Sequence, residues 1–424
     1  MNKKIYIFPF IAIIIFLVLL SKVIINKLNE KNIVDEESKV INQEDNISIK
    51  LLKQVNKKEN YLISPYSIEI ALNLLKEGAN GNTLKEIENL IGNRELTDLT
   101  IKNRLSVANA AFIKNEYKEY VLKSYIKDLE DKYNSELLYD EFKNPKVIND
   151  WVNNKTNGMI NKILDDINED FVLGLANALA IDVEWYDEFE CINTKSRDFT
   201  KENGKIIQVE MMNKKISNKN YKYLENDNAK GIIIPYKSYN KSTGEEEFGD
   251  SSLEFIGILP NSSLSEYINN LTDKELKDLF SNSKSPSDSL EINLSLPRFK
   301  YDYELKNFKE VLMDLGIIDA FDKDNADFTK MIPRNDKTGN IYVGQAIHKT
   351  HIDLNEKGTK AAAVTYFGMF KSTGIMPQEK ETINIEFNKP FLYMIRDTNS
   401  NEILFMGAVY EPNKWVDSTC ENVN

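Results

Sequence analysis

Few residues in this chain of 424 have the types and spacings that enzymes use for catalysis. Its only two histidines, His348 and His351, lie in one segment, and no further metal ligands occur at a convincing spacing from them. The sequence also lacks the G-x-S-x-G, H-E-x-x-H and glycine-rich phosphate motifs that would accompany a catalytic serine, a metal or a nucleotide. We therefore expect neither an enzyme nor a metal or cofactor site.

The segment from Gly358 to Phe387 instead has the composition of a functional loop. Loops longer than about 12–15 residues are uncommon in compact domains, and those that exist tend to carry function. Its first part reads GTKAAAVT and, as a strand, would place only small side chains on one face. Such a strand can slip between two neighbours without overpacking a core. The same run also fits a short helix, because alanine has the highest helix propensity.

The sequences that flank this loop favour the strand. AIHKTHIDLNEKGTKAAA from Ala346 and FNKPFLYMIRDTNSNEILFMGAVYEP from Phe387 resemble the C-terminal third of the serpins. The segments NYLISPYSIEIALNLLKEGANGNTLKEI, INDWVNNKTNGMINKIL, LANALAIDVEWYDEF and SLPRFKYDYELKNFKEVLMDLGIIDAF appear in the family's order. His348 precedes Gly358 by the same interval as the family's shutter histidine precedes its hinge glycine. The resemblance is specific and covers residues 45–415.

The resemblance implies an α+β serpin fold, with about nine helices around three β-sheets and an exposed reactive centre loop. It also implies three groups of residues that control the loop. The hinge consists of Glu356, Gly358, Thr359, Ala361, Ala362, Ala363 and Thr365, the shutter of Ser64, Ser67, Asn177 and His348, and the breach of Trp185. Two departures are Lys360, which replaces a common acidic residue, and AIDVEW at 180–185, which lacks the usual glycine and lysine. Taken singly, each residue also has a structural explanation, such as helix capping or core packing.

The mechanism that the family uses would make this chain a suicide-type inhibitor of serine proteases. The protease forms an acyl-enzyme with the loop, the cleaved loop inserts into the main sheet, and the distorted protease no longer deacylates. Family spacing places the bond near Ser372. We favour Lys371-Ser372, which suits a trypsin-like pocket, over Phe370-Lys371, which suits chymotrypsin or subtilisin, and over Ser372-Thr373. A non-inhibitory carrier or adhesion serpin and an inhibitor of cysteine proteases remain alternatives.

The charge balance bears on the partners of the protein. A net charge of −12 and the absence of a block of five or more Lys and Arg residues argue against nucleic acid and against polyanion activators. The lysines between Lys214 and Lys222 are interrupted by other residues, and we read them as a solvated face. The expected partner is a target serine protease, bound by a monomer.

The N-terminus predicts contact with a membrane. Residues Ile5 to Leu20 form an uncharged, mostly apolar run, and only Ser21 and Lys22 interrupt its extension to Ile25. The whole segment is close to the roughly 20 residues that a bilayer requires. A retained anchor is favoured over a secretory signal because no small-x-small cleavage site follows Leu20. The predicted organisation is an anchor or uncleaved signal at 1–25, a polar linker at 26–45, a serpin domain at 46–415 and a tail at 416–424. The domain would lie outside the cytoplasm on a single-pass anchor, or be secreted if the segment is cleaved.

Local signals predict individual elements. Ser64 before Pro65 indicates a helix cap, and that helix should end at Gly78. Thr83 and Glu86 have the spacing of a capping box for the next helix.

Three further features concern strands, loops and cysteines. Alternation between Leu290 and Pro297 predicts a half-buried strand. The polar insertion at 238–252 is longer than the family's usual turn and is expected to be a surface loop. Cys191 and Cys420 are the only cysteines, and their spacing does not require a disulfide.

Overall fold

The computed structural model describes residues 45–359 and 380–412. The predicted anchor, most of the predicted linker, residues 360–379 of the loop, and Cys420 lie outside these ranges. Within them there are eight α-helices, and none of these is both long and apolar enough to cross a membrane. Asp45, at the end of the predicted linker, is buried and pairs with Lys53 at 3.0 Å.

The helices and strands alternate along the chain in an α+β arrangement, as predicted. The helices are α1 Ile47–Val55, α2 Pro65–Gly78, α3 Gly81–Ile91, α4 Lys123–Tyr133, α5 Lys146–Lys155, α6 Leu264–Asn270, α7 Asp273–Ser281 and α8 Phe308–Asp314. The first nine strands are β1 Tyr61–Ile63, β2 Leu105–Lys114, β3 Glu136–Asp140, β4 Leu173–Ile181, β5 Val183–Glu184, β6 Lys195–Thr200, β7 Ile206–Ile216, β8 Lys222–Glu225 and β9 Ala229–Pro235. The others are β10 Leu253–Pro260, β11 Leu290–Pro297, β12 Phe299–Glu304, β13 Lys349–Leu354, β14 Gly358–Thr359, β15 Glu381–Glu386, β16 Phe391–Asp397 and β17 Ile403–Val409.

Helix α2 begins and ends where the sequence predicts. The Ser67 backbone N–H donates to Oγ of Ser64, and Pro65 occupies the first turn. Helix α3 exists, but its predicted capping box is wrong. Thr83 lies inside the helix, where its Oγ1 accepts a hydrogen bond from the backbone of Asp327 instead of capping its own helix. The Thr83 hydroxyl, which the sequence pattern predicted to cap the helix, therefore makes a tertiary contact with Asp327 instead.

Two sheets contain ten of the seventeen strands of the described chain. The larger has the strand order β1-β17-β16-β10-β9-β8, and its central strands are almost entirely buried. The other has the order β15-β11-β7-β6. Strand β11 lies where predicted, between β7 and β15, and Glu291 and Ser295 on its polar face are buried as well.

Two further strand groups meet at one chain segment. One has the order β3-β2-β4 and the other β12-β13-β14-β5, and β4 and β5 follow each other with only Asp182 between them. In the described part of the chain β4 pairs only with β2, while β13 pairs with β12 and, at Leu354, with β14. The facing edges of β4 and β13 therefore make no ladder with each other among these residues.

The lysine-rich stretch at Lys214 differs from its predicted solvated face. The Lys214 ammonium is largely buried, donates to the carbonyls of Asp187 and Glu188 at 2.6 and 2.7 Å, and lies over the ring of Phe189. Burial lowers the pKa of Lys214, although Asp187 partly opposes the shift. Its neighbour Lys215 remains exposed, so the prediction of a solvated face is wrong at Lys214 and holds at Lys215. Residues 238–252 connect β9 to β10 without a helix or strand, as expected of a loop.

Candidate functional site

The start of the predicted loop is held between two strands. Gly358 and Thr359 form β14, which pairs with Val183 and Glu184 of β5 on one side and with Leu354 of β13 on the other. A Cβ atom on Gly358 would collide with the Val183 carbonyl oxygen, so the close approach requires glycine. The predicted hinge glycine therefore lies where the chain enters the sheet.

Thr359 faces the interior. Its side chain is buried, and its hydroxyl lies 2.6 Å from the hydroxyl of Tyr236 beneath the sheet. Burial raises the pKa of Tyr236 well above its ordinary value, so this phenol stays protonated. Because side chains alternate along a strand, a continuation of β14 would point Ala361, Ala363 and Thr365 in the same direction as Thr359.

Trp185 closes the same end of the sheet. Its indole N–H donates to the Asn355 carbonyl at 2.8 Å, and its ring stacks on Tyr236 with centroids 4.7 Å apart. The backbone N–H of Trp185 donates to Lys357 at 2.8 Å. The predicted breach tryptophan therefore contacts the residues that precede the hinge glycine.

A buried ion pair anchors the hinge from below. Arg298 Nε donates to Oε1 of Glu356 at 2.6 Å, and the Thr194 hydroxyl donates to the same oxygen at 2.5 Å. Both charged side chains are almost completely buried. Glu356 was among the predicted hinge residues, whereas Arg298 was missed, although an arginine within the apolar run SLPRF could have signalled it.

The four predicted shutter residues form one hydrogen-bonded chain. The Ser64 backbone N–H donates to Nε2 of His348 at 3.0 Å, and the Ser64 hydroxyl donates to the Leu404 carbonyl at 2.6 Å. One turn along α2, the Ser67 hydroxyl donates to Oδ1 of Asn177. The chain runs from a residue next to β13, across α2, to β4, and so passes under the gap between those strands.

Asn109 extends this chain and was not predicted. The side-chain amide of Asn177 donates to Oδ1 of Asn109 at 2.8 Å, and Asn109 donates to the Tyr133 carbonyl at 2.8 Å. A polar residue inside the apolar stretch VANAAF was its sequence signal. Burial lowers the pKa of His348 to about 4, so the imidazole is neutral at pH 7 and its Nε2 is free to accept from Ser64.

The remaining predicted residues cannot be placed. Those that lie outside the described ranges are Ala361, Ala362, Ala363, Thr365, Phe370, Lys371, Ser372 and Thr373. The second histidine, His351, does not join the shutter, because its Nδ1 pairs with Asp302 on β12 at 2.7 Å. Among residues 45–359 and 380–412 no cluster of three or more His, Cys, Asp or Glu side chains could hold a metal ion.

Sequence comparisons identify relatives along most of the chain. The model of the serpin family, described as serine protease inhibitor, matches residues 42–412. An uncharacterized serpin-like protein of Methanosarcina acetivorans is 30% identical and covers 84% of this chain and 82% of its own. Neuroserpin of Mus musculus is 28% identical, with 85% and 88% covered.

Structure comparisons agree. The crystal structure of tengpin, a thermophilic serpin, in its native state superimposes with a TM-score of 0.72 at 33% identity, covering 89% of this chain and 95% of tengpin. Thyroxine-binding globulin in complex with thyroxine has a TM-score of 0.70 over 88% of this chain and 99% of its own, and its 22% identity shows the fold alone. With a family model that spans residues 42–412 and relatives that match over most of their length, this chain belongs to the serpin family.

Proposed function

We propose that this protein is a suicide-type inhibitor of serine proteases, which traps its target as a covalent acyl-enzyme by inserting the cleaved loop into the sheet. Membership of the family supports a protease-inhibitor function in general, rather than catalysis. The insertion mechanism is our more specific claim for this chain.

One observation carries the proposal. Strands β4 and β13 make no ladder with each other in the described chain, and β14 already lies between β13 and β5 at one end of that gap. Further residues in strand conformation after Thr359 would extend β14 between β13 and β4. The shutter hydrogen bonds from His348 to Asn177 cross beneath the same gap, where separation of the strands would meet them.

The energetics indicate what must drive insertion. About 14 inserted residues at roughly 3.3 Å each would span some 45 Å, enough to move a bound protease across the domain. Each ladder bond gains about 0.5–1.5 kcal/mol net, whereas ordering each backbone residue costs about 1–2 kcal/mol. Because the ordering cost exceeds the ladder gain at the middle of both ranges, burial of the small face and relief of strain in the sheet must supply the difference. That face consists of Thr359, Ala361, Ala363 and Thr365.

The proposed scissile bond is Lys371-Ser372. Lys371 would occupy an acidic, trypsin-like specificity pocket, and cleavage one residue earlier, after Phe370, would instead suit chymotrypsin or subtilisin.

The decisive experiment mixes the purified full-length protein with trypsin, chymotrypsin and subtilisin, and with papain to test the cysteine-protease alternative. We expect a complex with trypsin that survives SDS, and a released C-terminal peptide that begins at Ser372 by mass spectrometry. Clean cleavage by all four enzymes, with no complex and no gain in heat stability, would instead favour the non-inhibitory class. Thyroxine-binding globulin, which has the same fold, forms a complex with thyroxine.

We also propose that residues 1–25 hold the protein in the cell membrane, with the serpin domain outside the cytoplasm. The length and apolarity of this segment support an anchor. Fractionation and N-terminal sequencing of the protein from its native cells would test it. A mature N-terminus beyond Ile25 in the culture medium would show secretion instead.

A further inference from the structure

The insertion between β9 and β10 contacts β5, the strand that pairs with Gly358 and Thr359. We define the β9–β10 clamp as residues 237–246. Strand β5 pairs with β14 along one edge, which leaves the backbone groups of Glu184 on the other edge. The Glu184 N–H donates to the Tyr239 hydroxyl at 2.9 Å, and the Glu184 carbonyl accepts from the Lys237 N–H at 2.8 Å. The clamp therefore takes the place of a neighbouring strand at this end.

Charged groups reinforce the same junction. The Lys237 ammonium donates to Oε2 of Glu184 on β5 at 2.6 Å. It also lies 3.4 Å from the carboxylate of Glu246, which belongs to the clamp as Lys237 does. Arg104, just before β2, stacks over the Tyr239 ring at 4.5 Å, and its Nε donates to the Gly244 carbonyl at 3.1 Å. Because β2 pairs with β4 along its length, the clamp also fixes the start of the β2–β4 pair.

Close packing makes this contact specific. The Lys102 backbone N–H donates to the Lys241 carbonyl at 3.0 Å, and Gly244 adopts a φ of +73° against the chain at Lys102. A Cβ atom on Gly244 would collide with the Lys102 carbonyl oxygen, so a larger residue must push the clamp away. The insertion is thus fitted to the strands beside the reactive loop.

We propose that Tyr239 and Gly244 are positioning residues for inhibition: the β9–β10 clamp holds β5 and the β2–β4 pair in place as the template for the inserting loop. The inference rests on the insertion mechanism proposed above. When β5 and the β2–β4 pair are held in place, β14 lengthens before the acyl-enzyme hydrolyses. When they are displaced, insertion is slower than hydrolysis and the protease is released. The clamp therefore sets how many inhibitor molecules are consumed for each protease trapped.

The test compares Tyr239→Phe and Gly244→Ala with matched controls in the full-length protein. Tyr239→Phe removes the acceptor for Glu184 and keeps the ring, while its control, Tyr267→Phe, removes an equally buried hydroxyl that has no hydrogen-bond partner in the described chain. Gly204→Ala controls for Gly244→Ala, because Gly204 has a similar φ of +78° with no atom near its missing Cβ.

We expect Tyr239→Phe to slow formation of SDS-resistant complex by about fivefold, as for the loss of one hydrogen bond of average net strength. Gly244→Ala, whose Cβ would push the clamp away from Lys102, should slow it at least as much. Both variants should raise the stoichiometry of inhibition. The initial rate of loop cleavage should be unchanged, which separates positioning from a smaller folded fraction. If the wild type forms complex and the clamp variants keep its stoichiometry, the clamp inference is wrong and the inhibitor proposal stands. If the wild type forms no complex with any protease, the proposed function fails and the clamp inference fails with it.

Discussion

The hydroxyl groups of Tyr236 and Thr359 lie 2.6 Å apart beneath the point where the reactive loop enters the sheet. Tyr236 also stacks on Trp185, so one phenol links the breach tryptophan to the first inward-facing residue of the loop. Both members of the pair are buried, and within the described chain each hydroxyl has the other as its hydrogen-bond partner.

Removal of either hydroxyl should destabilise the native state, and removal of both should largely restore it. Tyr236→Phe or Thr359→Val leaves one buried hydroxyl unpaired, which costs about 1–3 kcal/mol, whereas the double variant leaves none. Urea unfolding of the four proteins gives the coupling energy. Additive effects of the two single changes would show that the hydroxyls do not interact.

A charged side chain at Thr359 should convert the inhibitor into a substrate. Thr359 is almost fully buried within β14, so Thr359→Arg must either bury an unpaired guanidinium or leave the sheet, and in both cases the loop cannot lengthen β14 from this residue. Ala361→Pro tests the same step differently, because proline removes a ladder N–H. We expect cleavage by trypsin without SDS-resistant complex for both variants.

The matched control for Thr359→Arg is Lys360→Arg. It introduces the same side chain at the next position, which would lie on the opposite face of a strand that continued beyond Thr359. This control should trap protease as the wild type does. Undiminished complex formation by both Thr359→Arg and Ala361→Pro would rule out insertion along this face.

The native state should lose stability as the pH falls from about 6.5 towards 4. Burial lowers the pKa of His348 from 6.5 to about 4, so the unfolded chain takes up a proton in this range while the folded chain does not. The full effect is about 3 kcal/mol at 1.36 kcal/mol per pKa unit, absent above 6.5 and complete below 4.

Urea midpoints measured between pH 7.5 and 4 would check this dependence. His348→Gln, whose amide oxygen can still accept from Ser64, should flatten it, whereas His351→Gln, which leaves the shutter intact, should not. Equal slopes in the wild type and His348→Gln would assign the acid sensitivity to other groups.

The Arg298–Glu356 pair should matter to stability chiefly when it is broken. Arg298→Met leaves a buried carboxylate at the base of the hinge and should cost about 3–5 kcal/mol. Adding Glu356→Leu removes that charge and should recover most of the loss. Thermal unfolding of the two variants measures the loss of stability in Arg298→Met and its recovery in the double variant. If the double variant were as unstable as Arg298→Met, hinge packing rather than charge burial would explain the loss.

Some elements were predictable because their signals are local. The start of α2 follows from Ser64 and Pro65, whose cap and fixed φ act within one turn of helix. The capping box at Thr83 failed because a distant backbone N–H, that of Asp327, takes the same hydroxyl. The prediction of a solvated face was wrong at Lys214 for a similar reason. Phe189 and Asp187, which lie elsewhere in the chain, pack around the Lys214 ammonium and bury it.

The candidate site also has features that the sequence predicts and features that depend on tertiary contacts. By itself, the sequence determined the family, the order of small residues after Gly358 and the face that those residues would share in a strand, because these depend on residue identity and on the period of a strand. Only the tertiary structure decided that Thr359 meets Tyr236, that Arg298 reaches Glu356 and that Asn109 continues the shutter. These partners lie far apart in the chain, and a contact between distant residues is fixed by the packing of whole sheets and not by any local pattern.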